Sequence, residues 1–529
     1  MPLELEKRRI PARRLEHCAQ RSSFGWLSLI FFLGPLAYLL FRAPSVGSYL
    51  YNSDHGYQLA LGRQLLLGKL PFKELFFHYG PLSAYTSLVG IKMWDSPLSE
   101  TIICCLGYAL ALFCLGAVLR HRASAATALI GVAGGLLLLA RFHKWYYWLF
   151  PLLCLYLLNR AQLGKRSRLL SVLLGISIGV AGLYRLDLGV ACLTAGVIGQ
   201  ILMNLACNRG KFADLPFLVA GSFVSAAIWF LCLVAQSGWP AIYEYCAFFV
   251  AGVRTECIHQ SMPPSPVLAC VLLASGLAYC FSLGYALWKT ARLSDAGERE
   301  AVMMCGVAAV FGLCLFPQAL HRCGTGYLLQ VLPPAILTAG ILVAHLAGST
   351  SPSSRASGRP VSPFGLAAYA LLLLSLSGLL HGGADLAPSD NHLRARYRDL
   401  AIGVSVNVFD PVQQVIAKAE AMTSPLDSVL ILPQGNLHPT QLYYLINRPM
   451  AGLMAMYLNG LFSEDDWRLR NFNAIKLHPP TIVIGGEDLL GPPLAARWPK
   501  FYPEMYAFVR ENYPKIAYRK GGWVILSRR

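Results

Sequence analysis

Charge is scarce in this sequence. Asp, Glu, Lys and Arg make up only 14% of its 529 residues, against about a quarter in soluble domains, while 55% are hydrophobic. That balance excludes an ordinary soluble enzyme. Acidic residues are scarcer still, 27 against 45 Lys and Arg, giving a net charge of +18. The surplus does not point to nucleic acid, because the basic residues sit in short loops between apolar runs and form no continuous basic face. Cysteine stops at Cys323, and the fifteen cysteines show no metal-ligand spacing. Most lie inside apolar runs and read as small apolar fillers; Cys246 and Cys257 share a loop, where a disulfide remains open. Beyond Asp390 there is no Gly-rich phosphate loop and no nucleophile elbow.

What is present in abundance is long apolar sequence. Runs able to cross a hydrocarbon core as helices recur from Trp26 to His381, and we count about eleven of them. The first follows a basic N-terminus (Lys7, Arg8, Arg9, Arg13, Arg14, Arg21) and reads as an uncleaved helix held with its N-terminus in the cytoplasm. Every second loop after it is basic, the alternation expected if those loops face the cytoplasm. The expected fold is mainly α: a polytopic helical membrane protein with a small C-terminal α/β domain outside the membrane. Its parts are a basic N-terminus (1–24), a transmembrane region (25–385) with a first outer loop at 43–98, and an extracytoplasmic domain (390–529). In that domain, helices are expected from Asp410, His438, Ser463 and Tyr502, and strands at 428–432, 481–484 and 522–527.

The remaining loops, on the outer side, are longer and richer in His, Trp, Tyr and Pro. From Tyr57 to Leu67 apolar residues recur at helical spacing beside Gln58, Arg63 and Gln64, predicting an amphipathic helix along the membrane surface that Gly68 ends. His78-Tyr79-Gly80-Pro81 marks a turn before a second interfacial helix, and the start of the 238–266 loop reads as a third. Asp54 stands just before the first of these, either as a helix N-cap or as a functional carboxylate. Cations gather on the same side: Arg141, His143 and Lys144 in RFHKWYYW, Arg185 in YRLD, His321 and Arg322 in ALHRCGTGY. Arg141 and Lys144 also fit lipid-headgroup anchors, and Arg185 with Asp187 also fits a structural ion pair.

The passage from Asp54 through Tyr79-Gly80-Pro81-Leu82 resembles the first periplasmic loop of the C-type glycosyltransferase superfamily. The likeness is to the bacterial relatives of protein O-mannosyltransferases and of the aminoarabinose transferase of lipid A, and it extends more weakly over the whole chain. It implies an inverting transferase of the plasma membrane that moves a sugar from a polyprenyl-phosphate donor to an extracytoplasmic acceptor, with membrane lipid as a further partner. It assigns Asp54 as the catalytic base, Arg185 and Arg322 as donor-phosphate ligands with Lys144, Arg141 and His321 beside them, and His55, His78 and Tyr79 as loop residues near the acceptor. Family members often have two adjacent acidic residues where this chain has Asp54-His55, so a divalent metal is not indicated and the cofactor stays unassigned. The family segment around Arg322 carries an Asp and a His where this chain has Gly324 and Tyr327. A multi-span transporter and a non-catalytic membrane scaffold are the other classes compatible with the spans.

Overall fold

A computed structural model of the chain describes residues 26, 29–41, 53–77, 79–139, 142–163, 167–207, 211–254, 266–322, 325–346, 362–381, 410–433, 439–456, 465–491 and 502–528. All eleven apolar runs are helical within that range. They are α1 (Leu29–Phe41), α4 (Pro97–Arg122), α5 (Ala125–Leu137), α6 (Tyr146–Leu163), α7 (Ser167–Tyr184), α8 (Leu186–Cys207), α9 (Leu215–Ser237), α11 (Pro266–Thr290), α12 (Ala296–Arg322), the pair α13 (Thr325–Val331) and α14 (Pro333–Leu346), and α15 (Pro363–His381). Seven are long and apolar enough to cross a membrane by themselves, and an eighth if α13 and α14, bent by 56° at a double proline, form one broken span. The chain is a multi-pass membrane protein.

Local chemistry sets the helix boundaries. The Ser96 hydroxyl accepts from Leu98 N at 3.2 Å to start α4, with Pro97 in the first turn, and Ser124 does the same for Thr127 N at 3.0 Å to start α5. Small residues draw α7 and α9 together: a Cβ on Gly175 would stand 2.0 Å from Leu218 O, and one on Gly221 would stand 2.5 Å from Val172 O. In lipid, where apolar contact alone drives no association, such backbone approach supplies the packing.

Between α1 and α4 lie two further helices, α2 (Ser53–Leu66) and α3 (Pro81–Met93), and α10 (Trp239–Arg254) follows α9. C-terminal to the bundle come α16 (Asp410–Met422), β1 (Val429–Ile431), α17 (Gln441–Ile446), α18 (Asp465–Leu477), β2 (Ile482–Gly486), α19 (Pro503–Asn512), β3 (Lys515–Lys520) and β4 (Trp523–Ser527). The strands form one sheet in the order β1-β2-β4-β3, with β1 and β2 parallel and the other pairs antiparallel. Strand β3 was not among the expected elements; it joins β4 through Gly521-Gly522, both at positive φ, the conformation of a tight hairpin turn.

Helix α2 is covered by protein: residues 56–64 are all buried, so its polar face meets the C-terminal unit where the sequence pattern suggested water. It packs between α3 and α17, and its apolar residues Tyr57, Ala60 and Leu61 join the core of the C-terminal sheet. Its polar residues satisfy the incoming backbone in place of water: Gln64 Nε2 donates to Arg448 O at 2.9 Å, and Met450 N donates to Gln64 Oε1 at 2.7 Å. Arg63 pairs with Asp95 and lies 4.8 Å from the Tyr444 ring. Lys69, just past Gly68, donates to Met450 O and to Gly452 O, the latter at 3.1 Å; burial pushes its pKa down to about 8, while Glu74 acts the other way. The C-terminal unit is therefore seated on the first loop through apolar packing and backbone hydrogen bonds.

Candidate functional site

The end of the bundle that carries the C-terminal unit also brings together two of the cations named from sequence, Lys144 and Arg185. The gathering starts with Gly80. Its N–H donates to Tyr184 O at 2.9 Å, and a Cβ there would stand 2.1 Å from Leu183 O, so only glycine lets this loop press against the end of α7. Pro81 then opens α3, whose Thr86 hydroxyl contacts the Tyr184 hydroxyl at 2.7 Å. The result is that Tyr79 sits beside Arg185, the residue between α7 and α8, with the guanidinium carbon 5.1 Å from its ring centre.

Lys144 reaches the same ring from elsewhere. It ends a short turn, Phe142–Lys144, that is held by the aromatic run after it. Trp145 packs against Gly107 of α4, where a Cβ would stand 2.2 Å from the indole, and Tyr146 stacks on Tyr184 at 5.1 Å. So anchored, Lys144 is 2% exposed and its ammonium lies 3.6 Å from the centre of the Tyr79 ring. A desolvated cation over a tyrosine face is worth about 2 kcal/mol, which helps the phenol hold two positive groups in place.

Arg185 is paired as well. Its Nε and Nη2 donate to Asp187 Oδ1 and Oδ2 at 3.0 and 3.1 Å, so the structural ion pair weighed from sequence is present. A guanidinium has five N–H groups, and this bidentate contact uses two of them. Asp187 thus fixes the plane of the fork. Tyr147 lies within 3.4 Å of Asp187 Oδ2 and 3.5 Å of Gln318 Oε1 on α12. Gln318 stands one turn before Arg322, which brings the end of α12 to the same place.

The other sequence candidates are located less fully. Asp54 and His55 lie in the first turn of α2, and His321 and Arg322 in the last turn of α12; their side chains are outside the described residues, as are His78 and Arg141 altogether. Tyr57, three residues after Asp54, meets Tyr79 edge-on at 6.0 Å and donates from its hydroxyl to Phe76 O at 3.1 Å. The start of α2 thereby adjoins the cation pair. Among the described residues no group of three or more His, Cys, Asp or Glu could hold a metal ion. Sequence reasoning had not singled out Tyr147, Gln318 or Tyr57; the aromatic run after Lys144 was the available signal for Tyr147.

Two solved structures share this architecture. ArnT from Cupriavidus metallidurans bound to undecaprenyl phosphate is similar over 95% of this chain and 98% of its own, with a TM-score of 0.55 and 14% sequence identity. The apo form of the same protein is similar over 96% and 98%, with a TM-score of 0.54 and 13% identity. No family model matches the sequence, and no curated protein matches it. The chain has the fold of the C-type membrane glycosyltransferases.

Proposed function

We propose that this chain is an inverting membrane glycosyltransferase that moves a sugar from a polyprenyl-phosphate donor to an acceptor at the outer face of the plasma membrane. The observation that carries the reading is the placement of Lys144 and Arg185, from separate parts of the chain, on one Tyr79 ring beside the helix whose first turn holds Asp54. Paired cations on a largely dehydrated aromatic support suit a phosphate that gains charge as it leaves. The likeness to a structure of ArnT bound to undecaprenyl phosphate over nearly the whole chain agrees with a lipid-phosphate donor.

In this reading Asp54 takes the proton of an acceptor hydroxyl as its oxygen attacks the anomeric carbon. The bond from that carbon to the phosphate oxygen breaks, and the electron pair leaves with the lipid phosphate. Lys144 and Arg185 stabilise the departing charge, with Arg322, Arg141 and His321 assigned to the same group. The alternating basic loops support an N-terminus in the cytoplasm and a site outside. Residues 390–529, whose described part is seated on the first loop, are assigned to acceptor selection. The test is incubation of purified protein with a panel of polyprenyl-phosphate hexoses and pentoses, with the anomeric configuration of the product read by NMR. The expected product is inverted; no transfer from any donor, or retention, overturns the proposal.

A further inference from the structure

The last turns of α11, at the end of the bundle away from the C-terminal unit, carry an aromatic cluster that the transfer site does not use. Phe281, Tyr285, Trp288 and Arg292 recur at helical spacing and share one face. Phe281 stacks on Tyr285 at 6.2 Å, Tyr285 meets Trp288 at 6.1 Å, and the Arg292 guanidinium carbon lies 4.4 Å from the Trp288 ring centre. From the last turn of α14, the His345 ring meets Tyr285 edge-on at 6.0 Å, and Lys289 is within electrostatic range of that imidazole. Arg292 N donates to Lys289 O at 3.0 Å, which keeps the two cations one turn apart.

Much of this face is open. Phe281 is 65% exposed and Trp288 50%, and Leu273 and Leu277 continue the exposed stripe toward the middle of the helix. Gly284 lies between Phe281 and Trp288, one turn from each, and a Cβ built there would meet nothing within 4 Å. The two rings thus flank a notch that a narrow apolar chain can enter. Beyond the notch stand two cations, and neither Lys289 nor Arg292 makes an ion pair among the described residues. The nearby Asp295 carboxylate is engaged as the cap of α12, accepting from Glu298 N at 2.7 Å. An apolar notch that leads to paired cations complements one class of molecule in a bilayer, a lipid with a negative headgroup. We infer that this face of α11 binds one anionic phospholipid of the adjoining leaflet. An acyl chain lies along Gly284 between Phe281 and Trp288, and the headgroup phosphate meets Lys289 and Arg292. The indole restrains the guanidinium, whose N–H groups donate to the phosphate oxygens, and His345 bounds the site on the α14 side.

Basic and aromatic residues at a membrane boundary also anchor helices without selecting any one lipid, and binding measurements separate the two cases. Full-length protein is delipidated in detergent and titrated with phosphatidylglycerol or with phosphatidylethanolamine of the same chains, and bound lipid is counted by native mass spectrometry. The native protein is expected to fill one site with phosphatidylglycerol in preference to phosphatidylethanolamine. Lys289→Gln combined with Arg292→Gln should lower that affinity roughly thirtyfold, about fivefold for each cation beside an anionic headgroup, and leave phosphatidylethanolamine binding as it was. Gly284→Leu fills the notch on an open face, so it should weaken both lipids while the melting temperature of the delipidated protein holds. The control is Arg160→Gln combined with Arg168→Gln, which removes two exposed cations at the same end, Arg168 lying 5.5 Å from the Phe217 ring. It should bind phosphatidylglycerol as the native protein does. Absence of a phosphatidylglycerol preference in the native protein overturns the inference, as does native affinity in the Lys289 and Arg292 double variant. An equal loss in the two double variants also overturns it, since that marks the cations as general boundary charges. Native binding of both lipids by Gly284→Leu overturns the placement of the chain.

Discussion

The two ends of the helix bundle bury cations in opposite ways. At the end away from the C-terminal unit, Arg122 is 2% exposed and bound by Asn159 Oδ1 at 2.6 Å and Glu300 Oε2 at 3.1 Å. One cation meets one carboxylate and a neutral amide, joining α4, α6 and α12. At the other end, Lys144 and Arg185 both lie against the ring of Tyr79, and Asp187 holds the Arg185 guanidinium. Helix α12 links the two places, with Glu300 near its start and Gln318 near its end, about 27 Å apart at the rise of an α-helix. A charge that only holds helices together is neutralised where it stands. Two cations from separate segments, held against a stacked aromatic scaffold, suit an anion that arrives.

That contrast can be broken by substitution. Arg122→Ala removes the buried guanidinium that Glu300 and Asn159 bind, so we expect a loss of roughly 3–5 kcal/mol in thermal or denaturant unfolding in detergent. Transfer per folded molecule should stay native. Lys144→Met should do the reverse: binding of lipid phosphate weaker by roughly ten- to a hundredfold, from loss of a charge-assisted hydrogen bond, with a fall in melting temperature smaller than that of Arg122→Ala. If Lys144→Met unfolds the protein without altering lipid-phosphate binding in what remains folded, the two ends are alike and the comparison fails.

Smaller effects should come from the seat of the C-terminal unit. A Cβ at Gly56 would stand 2.7 Å from Gln441 Cβ, so Gly56→Ala must shift α2 from α17, at a cost of about 1–3 kcal/mol in unfolding experiments. The smallest effect is the pH dependence of Lys69. Its pKa of about 8 when seated lies below its ordinary value of 10.5, so between these limits the unfolded state binds more protons. Stability from this group therefore rises as pH increases from about 8, and a melting curve against pH should be flatter in Lys69→Met.

Much of the bundle was legible because hydropathy over a spanning length is a local signal, as the eleven helical runs illustrate. The C-terminal strands β1, β2 and β4 were legible for the same reason, as short apolar runs. Strand β3 was missed because Lys515-Ile-Ala-Tyr-Arg-Lys520 is a charged edge strand with little apolar content, although the Gly-Gly turn after it was a usable sign. The burial of α2 could not be read locally, since the groups that satisfy Gln64 and Lys69 lie almost 400 residues away in sequence. The same limit applied to the site. Arg185 and Lys144 were visible as costly charges, but Tyr79 as the ring between them depends on Gly80 meeting the end of α7.

The most direct test of the glycosyltransferase reading is the separation of binding from chemistry at Asp54. Purified native protein and Asp54→Asn are compared for binding of undecaprenyl phosphate and for transfer from the polyprenyl-phosphate sugar that the native protein uses. The account predicts native binding by the variant, because the cations are untouched, and transfer lower by roughly 10²–10⁴-fold, because the base is gone. Transfer by Asp54→Asn at the native rate would contradict it.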